Sequence, residues 1–143
     1  MTKRDAFLAL LLGCPCVLTA CALNPTPLRC PSGAGSPMRV FELYFGRAIA
    51  GRGDLTDAEW KEFGDEVIAP NLRDGFTVLD GEGAWRSPRT QTTIRESTKI
   101  LITSMPDTAA SEIAVGHVRD AYKTEFRQIA VGMTSYVACG SFY

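Results

Sequence analysis

Apolar and polar positions alternate from the first residues of the segment 38–49, MRVFELYFGRAI. Phe41, Leu43 and Phe45 fall on one side, and Val40, Glu42 and Tyr44 on the other. A period of two predicts a half-buried β-strand. After the loop GRGDL, Thr56 and Glu59 have the spacing of a capping box, in which each residue satisfies a free N–H of the other. Trp60, Phe63, Val67 and Ile68 follow at helical spacing, and Pro70 is expected to stop the helix. Residues 75–86, GFTVLDGEGAWR, predict a second strand, bent or bulged around Asp80-Gly81-Glu82-Gly83. SPRTQT turns the chain, and TIRESTKILIT (93–103) predicts a third strand. A second helix is expected over roughly 109–128, with Ile113, Val118, Ala121, Tyr122 and Phe126 as its apolar stripe. VGMTSYVACGSF (131–142) predicts a fourth strand.

The order β-α-β-β-α-β constrains the topology. Crossovers between parallel strands of one sheet are right-handed. Two interleaved split βαβ units give an α+β, ferredoxin-like domain: a four-stranded antiparallel sheet, order 4-1-3-2, with both helices on one face. Phe41, Leu43 and Phe45 belong beneath the helices. So, by the same pattern, do Ile94, Ile100 and Ile102 on the third strand and Val131, Met133 and Val137 on the fourth. The uncovered face then carries Glu42, Tyr44, Arg95, Ser97, Lys99, Thr134 and Tyr136, with Glu42 across from Arg95 or Lys99. Glu96 has the parity of the covered face and needs a partner there, for which Arg47 is the candidate.

The chain upstream of residue 38 reads differently. Lys3 and Arg4 precede the apolar run AFLALLLGCPCVLTA, which has signal-peptide length and is too short and too broken for a membrane span. Leu18-Thr19-Ala20-Cys21 resembles a bacterial lipobox, which implies cleavage before Cys21 and lipidation of its thiol. Ala22 after it favours the outer membrane by analogy with known lipoproteins. Leu11-Leu12-Gly13-Cys14 is a poorer second lipobox, and Ala20-Cys21-Ala22 also suits a site that releases a soluble periplasmic protein. The expected organisation is a signal peptide over 1–20, a lipid-anchored tether over 21–37, rich in Pro and Gly, and the folded domain over 38–143. Such a tether spans on the order of 20 Å.

The chain has 143 residues, enough for one ordinary domain, with 45% hydrophobic and 22% charged residues and a formal charge of −1. Without a basic excess, nothing points to nucleic acid. Of its five cysteines, Cys30 and Cys139 remain as an even pair in the domain and tether once Cys21 is lipidated. In an oxidising compartment they form a disulfide or stay as two thiols. Bonded, they close a loop of about 110 residues, worth roughly 4–5 kcal/mol in the chain-entropy model.

Three stretches, ELYFGR (42–47), TVLDGEGAW (77–85) and RESTK (95–99), resemble the small secreted bacterial proteins grouped as domain of unknown function family 3574. The resemblance covers residues 38–142. The family pattern has Gln before the Trp and Ser before the Lys, where this chain has Ala84 and Thr98. Carried over residue by residue, it implies importance for Glu42, Arg47, Asp80, Trp85, Arg95, Glu96 and Lys99, and it implies no activity.

Other chemistry is thin. His117 is expected to be a half-buried helix residue, and no triad assembles around it. Metal-ligand spacings are absent, and no cofactor is expected. GRG (51–53) and GEG (81–83) lack the strand–loop–helix setting of a phosphate loop. Asp80 and Glu82 suit a turn better than a cation site. Trp60 reads as helix core, and Trp85 as core or pocket wall. The candidate site is therefore a polar cluster of Glu42, Tyr44, Arg47, Asp80, Arg95, Glu96 and Lys99. The expected function is a non-catalytic, membrane-tethered periplasmic domain binding a small anionic ligand or a protein, with a homodimer through the open sheet face possible. The alternative is a small metal-free enzyme of the dimeric α+β type using the same cluster. A solvated face with ordinary ion pairs is the plainest account of these charges.

Overall fold

The computed structural model describes residues 28–142. The expected signal peptide, Cys21 and the first part of the expected tether lie outside the described residues. The elements are β1 (Ser36–Gly46), α1 (Asp57–Phe63), a π-helical turn (Gly64–Ile68), α2 (Ala69–Asn71), β2 (Thr77–Arg86), β3 (Thr93–Met105), α3 (Ala109–Glu125) and β4 (Gly132–Gly140). The strands form one antiparallel sheet in the order β2-β3-β1-β4, the expected 4-1-3-2 read from its other edge. Among the described residues no helix is long and apolar enough to cross a membrane.

The core lies between the helices and one face of the sheet. Phe41, Leu43 and Phe45 of β1 and Leu101 and Met105 of β3 meet Trp60, Phe63, Ile68, Val115, Val118, Tyr122 and Phe126. Phe45 stands edge-on to both Trp60 and Tyr122, with ring centroids at 5.2 and 4.8 Å. The Tyr122 hydroxyl donates to the Gly46 carbonyl at 2.9 Å, which satisfies the one polar atom of a buried ring. Burial pushes that hydroxyl's pKa up.

The capping box forms as expected. The Thr56 hydroxyl accepts from the Glu59 N–H, and the Glu59 carboxylate accepts from the Thr56 N–H at 2.8 Å. The Thr56 N–H and the Thr56 hydroxyl both donate to the Glu59 carboxylate, each at 2.8 Å, and with Arg52 beside them they hold its pKa down to about 2.

Several expectations are corrected. Pro70 does not stop the helix: Ala69–Asn71 continues it after the π turn, in which the Ala69 N–H reaches back to the Gly64 carbonyl. The ladder has already slipped by one residue where Pro70 enters the first turn of α2, a position that tolerates a missing N–H. β2 is not bulged; it pairs residue for residue with β3 from Thr77 opposite Ile102 to Arg86 opposite Thr93. Ile113 and His117 are exposed, and the buried stripe of α3 is Ser111, Val115, Val118 and Tyr122. Met133 and Val137 have the expected parity, yet they are 41% and 36% exposed, because the helical layer centres on β1 and β3 and stops short of β4.

The largest correction concerns β3. Phe41, Leu43 and Phe45 stand opposite Thr103, Leu101 and Lys99. Residues directly opposite in an antiparallel pair share a face. The odd positions Arg95, Ser97 and Lys99 therefore lie on the helical side, while Ile94, Glu96, Ile100 and Ile102 lie on the open face. Ile100-Leu101-Ile102 is apolar on both parities, so alternation alone does not fix the phase, and a shift of one residue inverts every assignment.

Cys30 and Cys139 are bonded, with their Cα atoms 5.6 Å apart and a sequence separation of 109. Ser36 pairs with Gly140, so the start of β1 and the end of β4 lie side by side just inside the disulfide. Gly35, at φ +84°, makes this approach possible: a Cβ there would sit 1.9 Å from the Gly140 carbonyl oxygen.

Candidate functional site

The seven cluster residues do not converge. The sheet divides them between its two faces. On the helical side, Lys99 buries its stem opposite Phe45, with only 8% of the side chain exposed, and brings its ammonium to the rim. There it meets Asp80 at 2.6 Å and Asp57 at 3.0 Å. Arg47 donates to the Leu55 carbonyl and reaches Asp57 at 3.2 Å and Asp80 at 3.9 Å. Hydrogen bonding to Asp80 leads the causes that raise the Lys99 pKa, and the Lys99 ammonium leads those that lower Asp57. Two cations and two carboxylates close on one another and fasten the first turn of α1 to β1, β2 and β3. Asp57 was not among the expected residues. Its position in the first turn after an N-cap, where an acid complements the helix dipole, was the available signal.

Two substitutions test this latch. Lys99→Met keeps the buried stem and lets two exposed carboxylates rehydrate, so it shifts unfolding free energy by less than about 1 kcal/mol. Lys99→Glu is too short to reach the rim and adds a third carboxylate, so it lowers stability by about 3 kcal/mol or more. Urea titration of both variants checks the pair, and equal effects would refute the assignment.

Arg95 pairs with Glu82 at 2.6 Å near the end of the β2–β3 hairpin, both side chains being about two-thirds exposed. Arg95 is therefore neither on the open face nor near Glu42.

Glu42, Tyr44 and Glu96 remain on the open face. Glu42 stands opposite Ile102 and Thr134 rather than opposite a cation. Three hydroxyls converge on its carboxylate: Tyr44 at 2.9 Å, Tyr136 at 3.3 Å and Thr134 at 3.4 Å. Partial desolvation comes first, and the Glu42 charge second, in raising the Tyr136 pKa. The next rows of this face run Leu79–Ile100–Tyr44–Gly132 and then Gly81–Thr98–Gly46. The second row has a side chain only at Thr98, and neighbouring side chains lean over its glycines: a Cβ at Gly81 would lie 3.0 Å from the Ile100 Cδ1. Glu96 folds across the bare backbone of Gly46, where a Cβ would lie 2.0 Å from its Oε1. No described side chain donates to the Glu96 carboxylate, and Arg47, its expected partner, is on the other face. Trp85, about half exposed, lies beyond Gly83 on the same face. The signal for these bare backbone positions was present as Gly-x-Gly-x-Trp at period two in β2.

Among the described residues, no group of three or more His, Cys, Asp or Glu gathers as a metal site. At the strand positions that point to the open face, there are two carboxylates, two tyrosines and several aliphatic side chains, and neither Lys nor Arg.

Comparison with known proteins agrees with the fold and leaves the chemistry open. A phage SAM lyase in complex with S-methyl-5'-thioadenosine is similar at a TM-score of 0.53 and 12% identity, over 74% of this chain and 92% of that one. The phage SAM lyase in its apo state is similar at 0.49 and 14% identity, over 82% and 99%. CutA from Synechococcus elongatus PCC7942 is similar at 0.48 and 7% identity, over 72% and 78%. At 12% identity the first of these likenesses is one of fold alone. No curated protein matches the sequence. The family model described as protein of unknown function (DUF3574) matches residues 41–142, nearly all of the folded domain, and the chain belongs to that family.

Proposed function

We propose that this is a membrane-tethered binding domain of the bacterial envelope whose open sheet face receives a small organic cation, with Glu42 as its counter-ion between Tyr44 and Tyr136. One observation carries the reading. The open face pairs an apolar, aromatic surface with two carboxylates that no cation of the described residues neutralises. A cation on that face gains both the carboxylate charge and the negative faces of aromatic rings. The three hydroxyls hold the Glu42 oxygens in place before any ligand arrives, which lowers the ordering cost of binding. The basic residues expected to receive an anion are engaged elsewhere, Lys99 with Asp57 and Asp80 and Arg95 with Glu82. The same division removes the Glu/Arg/Lys/Tyr cluster on which the enzyme alternative rested. The tether is part of this proposal and is supported by the Leu18-Thr19-Ala20-Cys21 pattern, which resembles a lipobox; a lipidated Cys21 would hold the domain at the outer membrane, facing the periplasm.

Calorimetric titration of the full chain in detergent tests this reading, with choline, tetramethylammonium and putrescine as probes beside acetate and phosphate. At least one cation is expected to bind while the anions do not. Glu42→Gln is expected to weaken that binding about 10-fold or more. Binding of anions alone, or an unchanged affinity in Glu42→Gln, would overturn it.

A further inference from the structure

β4 is an edge strand, and among the described residues no strand pairs along its outer side. It pairs with β1 alone, and among the described residues no backbone hydrogen bond reaches it from another element. Its nine residues, Gly132–Gly140, include no charged residue and no proline. Those are the usual devices that keep an edge from pairing. The opposite edge has them: β2 carries Asp80, Glu82 and Arg86. β4 is also bare on both sides. Met133 and Val137 are exposed where the helical layer stops short, and Tyr136 is half exposed on the open face.

We infer that β4 pairs antiparallel with β4 of a second copy of this chain, about a two-fold axis at Ser135. The sequence is self-complementary there, face by face. On the helical side Met133 meets the second copy's Val137, and the reverse pair forms across the axis. On the open side Thr134 meets the second copy's Tyr136, and Gly132 meets its Ala138. Because the strand is uncharged, symmetry sets no like charges against each other. The pairing ends before Cys139 and leaves the disulfide undisturbed. It spans about seven residues, or about 24 Å of ladder. The second copy covers Met133 and Val137, which this chain's helices leave open. The product is an eight-stranded sheet whose open faces are continuous, with one Glu42 on each side of the axis. The expected homodimer thus forms along an edge and not through the open face, which stays free.

Light scattering and a cysteine scan test this in the full chain in detergent. The unaltered chain is expected at twice its monomer mass at micromolar concentration. Directly opposite residues in an antiparallel pair have Cα atoms about 4.5–5.5 Å apart, within disulfide range. Ser135→Cys is therefore expected to give a reducible dimer on a denaturing gel, while the exposed helix variant Asp120→Cys gives at least 10-fold less. Val137→Lys is expected to halve the particle mass while keeping the Cys30–Cys139 bond and the native circular dichroism spectrum. A monomeric unaltered chain overturns the inference, whatever the variants do. So do cross-linking of Asp120→Cys equal to that of Ser135→Cys, and preferential cross-linking through Glu82→Cys on the other edge. A folded Val137→Lys that remains dimeric overturns it as well.

Discussion

With Cys30 and Cys139 both replaced by serine, the free energy of unfolding in urea falls by about 4–5 kcal/mol, a large part of what a domain of this size has. The loss comes from the unfolded chain. The bond closes a loop of 109 residues and removes most of the separations that the ends of a free coil explore. The folded state changes little, because Ser36 and Gly140 are already partners in the sheet beside the bond. The urea dependence of unfolding should steepen as well, since the uncrosslinked chain exposes more surface when it opens. Trp60 lies in the core and Trp85 on the sheet surface, so their combined fluorescence follows the transition. A loss below about 1 kcal/mol would mean that the ends remain together in the unfolded chain or that the bond strains the fold.

Phe45→Ala is expected to cost about 3–5 kcal/mol and to remove much of the near-ultraviolet dichroism of the aromatic core. Phe45 is fully buried on the central strand β1 and stands edge-on to Trp60 and Tyr122, which belong to different helices. Its removal leaves a cavity between α1, α3 and the sheet, and neither remaining ring can fill it without leaving its rotamer. On β3 its neighbour is Lys99, so the cavity also opens beside the buried stem that holds the latch. Phe142→Ala is the control. Phe142 is largely exposed near the end of the chain, and its loss should change stability by less than about 0.5 kcal/mol. If the two variants melted alike, the aromatic cluster would not be the centre of the fold.

The topology was legible because it rests on strong signals. β1 alternates cleanly, Thr56 and Glu59 announce α1, and the element order admits one compact right-handed arrangement. The disulfide was legible from the two cysteines left over once Cys14 and Cys16 are assigned to the signal peptide and Cys21 to the lipid. The site was legible only in part. Its residues were named, but their faces were not, because β3 carries three consecutive apolar residues and its phase is set by the register with β1. That register decides whether Lys99 is a surface cation or the clasp beneath α1, and whether Glu96 is an oddity in the core or a carboxylate over Gly46. Asp57 was missed because it meets Arg47 and Lys99 only across three elements. The hydroxyl ring around Glu42 was visible as residues of the right parity, but not as a geometry, since its donors come from β1 and β4 at opposite ends of the sequence.

The crosslink between Cys30 and Cys139 also sets how the domain bears mechanical load. A pull arriving from the residues before Cys30 does not act on β1 alone. It divides at the sulfur bridge and enters β1 and β4 together, at the corner where the two strands end side by side. Neither strand can then be unzipped from the other by that force, and drawing the pair out means shearing β1 along its ladder with β3. A domain tugged at its leading end thus resists through the middle of its sheet rather than through its weakest seam.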